Sequence, residues 1–579
     1  VCGIAGVLGP PGSTDAEAQV RAMVEHQRHR GPDAQDVKVF AGGRVALGVD
    51  RLRIIDLDPH ADGVLSTPDG RWHLAYNGEV YNHVELRSEL RGHHDFRTTS
   101  DAEVVLAAWA HWGEEALHRF VGMFAFLLWD DEHQQLHSVR DRFGVKPLYG
   151  HRSRDLTKRY ASEVGALLAS GIGAETNPAA WTTYLATGHT TWPFVSNVTH
   201  QGGGTHCLAS GGARRWYDPV RALDPGWDER EDGTVADQVA DLLAEATALR
   251  FRSDVPVGVA LSSGLDSSSL LGLVDRTPGL AASAPVFTFT TGDPAYDEDG
   301  DVARLLAGTD HQLHRCRLRP EDVPALATQV HAHLRQPFGG IPTLAYARLF
   351  EQARAEGVPV VLDGQGLDEA WAGYDYYRKA LDAGGPDEVP IVQGARSPLL
   401  HPECVDPRAV QAYRHAPEEG ASFPDALRQA QRRDLLETKL PRALRYNDAV
   451  SMRSSVELRE PFLDHRLVEL ALRQPPHRTL GDGEGKALIR RLAPRWWPEG
   501  APPAAPKRPV QTPQREWLRG PLRPWAEGRI DAALDRFGGT WLLVDQVQAA
   551  WTAFAEGEGD NAFAPWQWIS LGLEAEAGG

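Results

Sequence analysis

Residues 255–274 read VPVGVALSSGLDSSSLLGLV. An apolar strand opens the stretch, a turn of small hydroxyl residues and glycine follows, and apolar residues then recur at helical spacing. A strand so uniformly apolar is buried on both faces, as in a parallel sheet covered by helices. Two later stretches repeat the pattern, APVFTFTTG at 284–292 and GVPVVLDGQGLDEAWAGY at 357–374. Apolar strands alternating with helices predict an α/β domain, whose ligands bind beyond the carboxyl ends of the strands. The polar loops of all three stretches fall there.

The first loop holds Ser262, Ser263, Gly264, Asp266, Ser267 and Ser268. Small residues before a helix leave backbone N–H groups open to phosphate. An aspartate among them would repel that phosphate unless it holds Mg²⁺ bridging the phosphate oxygens. A serine-rich helix cap is the plainer alternative, but the order Ser-x-Gly-x-Asp-Ser-Ser behind an apolar strand is more specific than a cap requires. The loop lacks the Gly-Lys-Ser/Thr ending of a Walker motif. The third stretch adds Asp363, Asp368 and Glu369, and Asp368 is the natural second metal ligand opposite Asp266. Lys486, in GEGKALIRRL at 483–492, begins a helix, where a cation opposes the dipole. It either faces a bound anion or is simply solvated.

The first part of the chain is patterned differently, as strands with interspersed helices. GRVALGV (43–49) and RLRIIDL (51–57) read as strands, and MFAFLLWDDEHQQLHSVR (123–140) as a hairpin. RWHLAYNGEVYNHVELRSELR (71–91) reads as a strand, a turn at Asn77-Gly78 and a helix. RWYDPVRALDPGWDERED (215–232), rich in Pro, Asp and Trp, is placed as a domain connection between units 2–215 and 233–579. VADQVADLLAEATALRFR (235–252) follows as a helix, the chain beyond 380 is mostly helical, and PEGAPPAAPKRPVQTPQ (498–514) breaks it as a loop.

At 579 residues the chain is expected to hold two to four domains. The net charge of −19 argues against nucleic acid as a partner, since phosphate-backbone binding needs a basic surface. No run of about 18 apolar residues suggests a membrane span, and the start lacks a secretion-signal pattern. The four cysteines, at 2, 207, 316 and 404, are too scattered for a disulfide frame or zinc site and suggest a reducing, cytoplasmic setting. Cys2 sits in VCGIAGV. If Val1 is a trimmed initiator residue, the thiol stands beside its own α-amine, a base with a pKa near 7.7–8.0. On these seven residues alone, a spare thiol is the simpler reading.

Taken together, the motifs resemble the glutamine-hydrolysing asparagine synthetase family over nearly the whole chain. CGIAG (2–6), RGPD (30–33), RLRIIDL (51–57), NGEVYNH (77–83), SDAEVV (100–105) and RDRFGVKPLY (140–149) resemble its class II glutamine amidotransferase domain. SSGLDSS, DGQGLDE, SVELREPFLDH and GEGK resemble its synthetase domain. The resemblance implies an N-terminal α+β Ntn-hydrolase αββα sandwich followed by an α/β parallel-sheet, ATP-pyrophosphatase-like domain. It implies that Cys2 attacks the glutamine side-chain amide, with Asn77 and Gly78 as oxyanion hole. Arg51, Ile54, Asn77, Glu79 and Asp101 would bind glutamine. Ser262, Ser263, Gly264, Leu265, Asp266, Ser267, Ser268, Thr291, Asp363 and Gly364 would bind ATP, Asp266 and Asp368 would hold Mg²⁺, and Lys486 and Gln365 would act in the synthetase reaction. That reaction activates a carboxylate, foremost aspartate, as acyl-AMP, and ammonia crossing the protein converts it to the amide. A homodimer is an assembly the resemblance allows.

Three positions depart from the family pattern. Ser263 replaces a glycine of the pyrophosphate loop. Gln365 stands where many relatives have glutamate, and it can hydrogen-bond but not take a proton. Ala449 replaces a common basic residue. The last two bear on the acceptor, so amidation of a different carboxylic acid stands as the alternative to asparagine formation. Ring closure of the β-lactam-synthetase or lasso-cyclase kind needs no ammonia and fits the complete glutaminase motifs less well. A non-enzymatic nucleotide sensor would have a broken Cys2 or Asp266, and both are intact.

Overall fold

The computed structural model describes residues 2–277, 279–280, 283–382, 423–483, 485–497 and 512–577. Cys404 and most of the proline-rich loop lie outside the described residues.

Two six-stranded antiparallel sheets build the first half. The strands are β1 (Cys2–Leu8), β2 (Ala34–Phe40), β3 (Val45–Arg51), β4 (Leu65–Ser66), β5 (Trp72–Val80), β6 (Gly122–Asp130), β7 (Gln135–Arg140), β8 (Tyr149–Arg152), β9 (Lys158–Ala161), β10 (Val198–His200), β11 (Thr205–Leu208) and β12 (Ala213–Arg215). The sheet orders are β10-β8-β9-β1-β3-β2 and β12-β11-β7-β6-β5-β4. Side chains alternate across each sheet. Ile4, Leu47 and Val49 of one sheet meet Ala75, Leu127 and Trp129 of the other between the layers. Ala5, Val7 and Ala46 face outward onto Val20, Met23 and Val24 of helix Ala16–His26. On the far side, Tyr76, Phe126 and Leu128 pack with Val104, Val105 and Ala108 of helix Asp101–Trp112. The αββα sandwich follows from this two-sided alternation.

Two readings of the sequence are corrected here. Asn77-Gly78 is no turn: β5 runs through it, with Asn77 opposite Ala125 and Gly78 opposite Phe124. The strand is buried and stays in register with β6 from Trp72 to Val80, so the chain turns only after Val80, before helix His83–Leu90. Gly78 is needed for closeness, since a Cβ there would lie 2.2 Å from the Met123 carbonyl oxygen. RLRIIDL is not a strand beyond Arg51. Its remainder is a loop held by the second half of the chain: the Ile54 carbonyl accepts from the Asp254 N–H at 2.8 Å, and the Asp56 N–H donates to Asp254 Oδ2 at 2.7 Å.

The second half is built on a five-stranded sheet of β13 (Val257–Ala260), β14 (Pro285–Thr290), β15 (Gln312–Arg317), β16 (Val360–Leu362) and β17 (Glu457–Arg459), ordered β15-β14-β13-β16-β17. Every pair is parallel, as the apolar strands predict. The helices Asp232–Arg250 and Leu265–Arg276 cover it on one side and Ile341–Ala355 on the other. The connection at 215–232 is packed: Trp216 and Tyr217 are buried, and Asp218 Oδ2 lies 2.6 Å from Arg432 Nη2. One apolar cluster runs across both halves, joining Phe143 and Trp216 to Val235 and Leu243.

Candidate functional site

Two cavities carry the candidate residues. The first opens beside Cys2, which starts β1 directly opposite Arg51 on β3. It is lined by Cys2, Arg51, Ile54, Gly78, Glu79 and Asp101. The backbone N–H of Cys2 donates to Asn77 Oδ1 at 3.0 Å, which leaves Asn77 Nδ2 buried without a partner. Burial pushes the Cys2 thiol above its ordinary value, against the pull of the terminal amine and Arg51. Arg51 is aimed by three anchors: Nη1 donates to Asp62 at 2.9 Å, and Nη2 to the carbonyls of Ile55 and Asp56 at 2.9 and 2.7 Å.

Asp101, at the start of its helix, accepts from Tyr76 Oη at 2.8 Å and from the Val80 N–H at 2.9 Å. Glu79 is buried, and burial together with Asp101 raises its carboxyl well above the usual range. The second half of the chain reaches this cavity through Arg459, whose Nη2 is 3.6 Å from Glu79 Oε1. Sequence reasoning missed Arg459 and Tyr76. For Tyr76 the signal was its place on the alternating face of β5, and for Arg459 it was its place in the motif SVELREPFLDH, which gave no hint of contact with the first half.

The second cavity lies beyond the carboxyl ends of β13 and β16. Lys486 Nζ sits 2.6 Å from both carboxylate oxygens of Asp266 and 2.7 Å from Asp368 Oδ1. Burial works against the lysine charge, yet the two carboxylates hold its ammonium above the ordinary value. The solvated reading of Lys486 is thereby excluded. Its backbone is left-handed, with φ 62° at the cap of helix Ala487–Leu492. Gly373 makes room for this arrangement, since a Cβ there would lie 2.0 Å from Asp368 Oδ1 and 2.2 Å from Lys486 Cε.

Ser262, Gly264, Leu265, Ser267, Gly364 and Gln365 line the same cavity. Ser267 Oγ accepts from the Ser262 N–H at 3.0 Å, tying the loop into a ring. Burial pushes the Asp363 carboxyl up to about 6, and its Oδ1 accepts from the Gly364 N–H at 2.6 Å. Tyr346 and Arg490 also line the cavity and escaped sequence reasoning, because they come from helices whose periodicity reports only a packed face.

Three nucleotide candidates stand back from the cavity lining. The Ser263 N–H donates to Glu298 Oε2 at 2.6 Å, Ser268 Oγ donates to the Gly264 carbonyl at 2.7 Å, and Thr291 Oγ1 donates to Asp297 at 2.8 Å. Ser268 and Thr291 are bonded within their own segments, and Ser263 is tied to the segment after β14. Ala449 is also elsewhere, on helix Lys439–Met452, where its carbonyl is 3.1 Å from His333 Nε2.

Residues 1–211 match a glutamine amidotransferase domain, and residues 238–577 match asparagine synthase. The chain belongs to the asparagine synthase family. A putative glutamine-hydrolysing asparagine synthetase of Mycobacterium tuberculosis is 30% identical over 91% of this chain and 89% of its own. Glutamine-hydrolysing asparagine synthetase 1 of Bacillus subtilis is 27% identical over 92% of this chain and 90% of its own. A Gibberella zeae protein named amidase chry2 is 29% identical over 65% of this chain and 60% of its own. As an asparagine synthase family member with an amidotransferase domain, the chain is a glutamine-hydrolysing ligase that forms an amide. No helix among the described residues is long and apolar enough to cross a membrane.

Proposed function

We propose that the chain couples glutamine hydrolysis in residues 2–215 to ATP-dependent amidation of a carboxylic acid, foremost L-aspartate, in residues 233–579, releasing AMP and pyrophosphate. The observation that carries the reading is the Cys2–Asn77 contact. With Oδ1 engaged by the Cys2 nitrogen, Asn77 Nδ2 is a buried donor with nothing to bond. An unsatisfied buried donor costs about 1–3 kcal/mol, and an oxyanion forming beside Cys2 would satisfy it.

In this reading the Cys2 amine, free once the residue before it is removed, takes the thiol proton. The sulfur then attacks the amide carbon of glutamine. Arg51 receives the substrate α-carboxylate, and Glu79 and Asp101 receive its α-amine. Water hydrolyses the thioester after ammonia has left.

In the second cavity the Ser262–Ser268 loop receives the phosphates of ATP, as helix N-termini do. Asp266 and Asp368 are hard oxygen donors converging on one point, now held by the Lys486 ammonium. That donor set fits Mg²⁺, which these two residues would hold and which would neutralise phosphate charge. Lys486 offsets charge on the reacting phosphorus and the departing pyrophosphate. Ammonia passes inside the protein, since in water it would protonate and lose its lone pair. Amidation of another acid is kept as the second reading, supported by Gln365 and by a relative named as an amidase.

The test is one reaction of protein, glutamine, ATP, Mg²⁺ and aspartate, read by mass spectrometry. Asparagine and AMP in equal amounts are expected, with Cys2 as the first residue of the active protein. Glutamate release without asparagine or AMP would remove aspartate as the acceptor.

A further inference from the structure

Amide formation leaves one proton too many on nitrogen. The attacking ammonia brings three hydrogens and the amide keeps two. Gln365 has no basic atom to take that proton, and the carboxylates of Asp266 and Asp368 are engaged by Lys486. Two buried carboxyls near that loop, Asp363 and Glu460, each keep an oxygen without a hydrogen-bond partner among the described residues, and of the two Glu460 is the one set against Lys146 and Asp141 of the first half.

Glu460 lies beside the synthetase loop, although it is not part of the lining of either cavity. It directly follows Arg459, whose carbonyl accepts the Asp363 N–H at 2.9 Å, so β17 delivers Glu460 beside the loop carrying Asp363, Gly364 and Gln365. The turn Pro461–Leu463 behind it packs on that same loop: a Cβ on Gly366 would lie 2.4 Å from Leu463 Cδ2. On the other side Arg459 reaches toward Glu79 in the Cys2 cavity. Glu460 is 5% exposed, and its Oε2 is buried with no hydrogen-bond partner among the described residues. A buried carboxyl oxygen left unsatisfied is costly and needs a reason.

We propose that Glu460 accepts the proton of the ammonia that attacks the activated carboxylate, in place of the base that Gln365 cannot be. The inference rests on the amide-forming reading above. The nitrogen lone pair forms the C–N bond to the acyl carbon, the bond from that carbon to the adenylate oxygen breaks, and its electron pair leaves with AMP. One N–H proton passes to Glu460 Oε2, so neutral amide, AMP and a protonated Glu460 result. The groups facing Glu460 are Lys146 and Asp141 of the loop after β7, Asp363 after β16, and Asp448 of helix Lys439–Met452. Burial, with Lys146 opposing it and the aspartates adding to it, lifts the Glu460 carboxyl to about 8. A base works best with a pKa near the operating pH.

The experiment compares the full-length protein with its Glu460→Gln and Glu460→Asp variants, using aspartate as acceptor. Four rates are read: glutamate release, aspartate-dependent ATP–pyrophosphate exchange, amide formation from ammonium chloride, and hydroxamate formation from hydroxylamine. The proposal expects Glu460→Gln to keep glutamate release and exchange while losing amide formation at least about tenfold. Hydroxylamine, whose nitrogen sheds its proton more readily, should restore most of the turnover, and Glu460→Asp should keep part of it. The rise of amide rate with pH should flatten in Glu460→Gln. Amide formation at the parental rate would overturn the proposal. So would an equal fall in exchange and amide rates, which would mean that Glu460 only shapes the nucleotide loop. Absence of exchange in the parent protein with aspartate and with every other carboxylic acid offered would overturn the adenylate reading itself, and the proposal with it.

Discussion

Arg459 Nη2 lies 3.6 Å from Glu79 Oε1, so a residue of the parallel sheet touches the wall of the cavity that holds Cys2. The arginine is fully buried, and its Nη1 donates to the carbonyls of Arg250 and Arg252 at 2.7 and 2.8 Å. Its Nε also bonds Glu457. The second half of the chain therefore helps hold the wall of the cavity beside Cys2.

Replacing Arg459 with leucine leaves the Glu457 carboxylate buried without its guanidinium partner. Breaking a buried pair in this way costs about 3–5 kcal/mol. Urea unfolding should show that loss. Arg459→Lys should restore part of the stability, while the KM for glutamine stays raised because a point charge replaces a fork.

Removing the Cys2 sulfur with Cys2→Ala should abolish glutamate release and leave amide synthesis from ammonium chloride intact. Asn77→Ala should lower kcat for glutamine hydrolysis by about 10²–10³ by taking away one oxyanion donor. The backbone of Asn77 pairs with Ala125 whatever its side chain, so the fold should persist. Steady-state assays with each nitrogen source separate these outcomes.

Lys486→Met should lower ATP–pyrophosphate exchange by at least about 10²-fold, since the charge opposite the reacting phosphates is lost. Glutamine hydrolysis should be unchanged, because Lys486 lines the other cavity. A parallel loss of both activities would show that the lysine holds the fold instead.

Asp50, buried on β3, has its carboxyl pushed up to about 8 by burial, with Gln35 Nε2 donating to Oδ1 at 2.7 Å. Between about pH 4 and pH 8 the folded chain keeps this proton while the unfolded chain releases it. The native state binds more protons in that window, so the group makes stability fall as pH rises. Asp50→Asn removes that slope. The difference in unfolding free energy between variant and parent should grow in favour of the variant from pH 5 to pH 8.

Much of the architecture was legible because its signals are local. The apolar run at 257–260 followed by a serine and glycine turn announces a parallel strand and a turn into a helix, and both are present. The hairpin at 123–140 carries its own polar turn. Asn77-Gly78 misled because the same dipeptide that favours a hairpin turn also serves where two backbones approach closely. The choice between them depends on β6, some 45 residues farther on. RLRIIDL misled because apolar residues docking on another part of the chain look like a strand when read alone.

The sequence by itself determined the strand-rich first half, the parallel-sheet second half and the set of candidate groups, because strand periodicity and loop composition act over a few neighbouring residues. Only the tertiary structure decided which groups meet. Lys486 is 220 positions from Asp266, yet the two share a bond of 2.6 Å. Arg459 reaches Glu79, and Glu460 is left buried with an unpartnered oxygen beside the loop of Gln365. Those relations depend on how the sheet of one half packs on the sandwich of the other. A charge buried in that packing interacts through space with whatever faces it, regardless of distance along the chain.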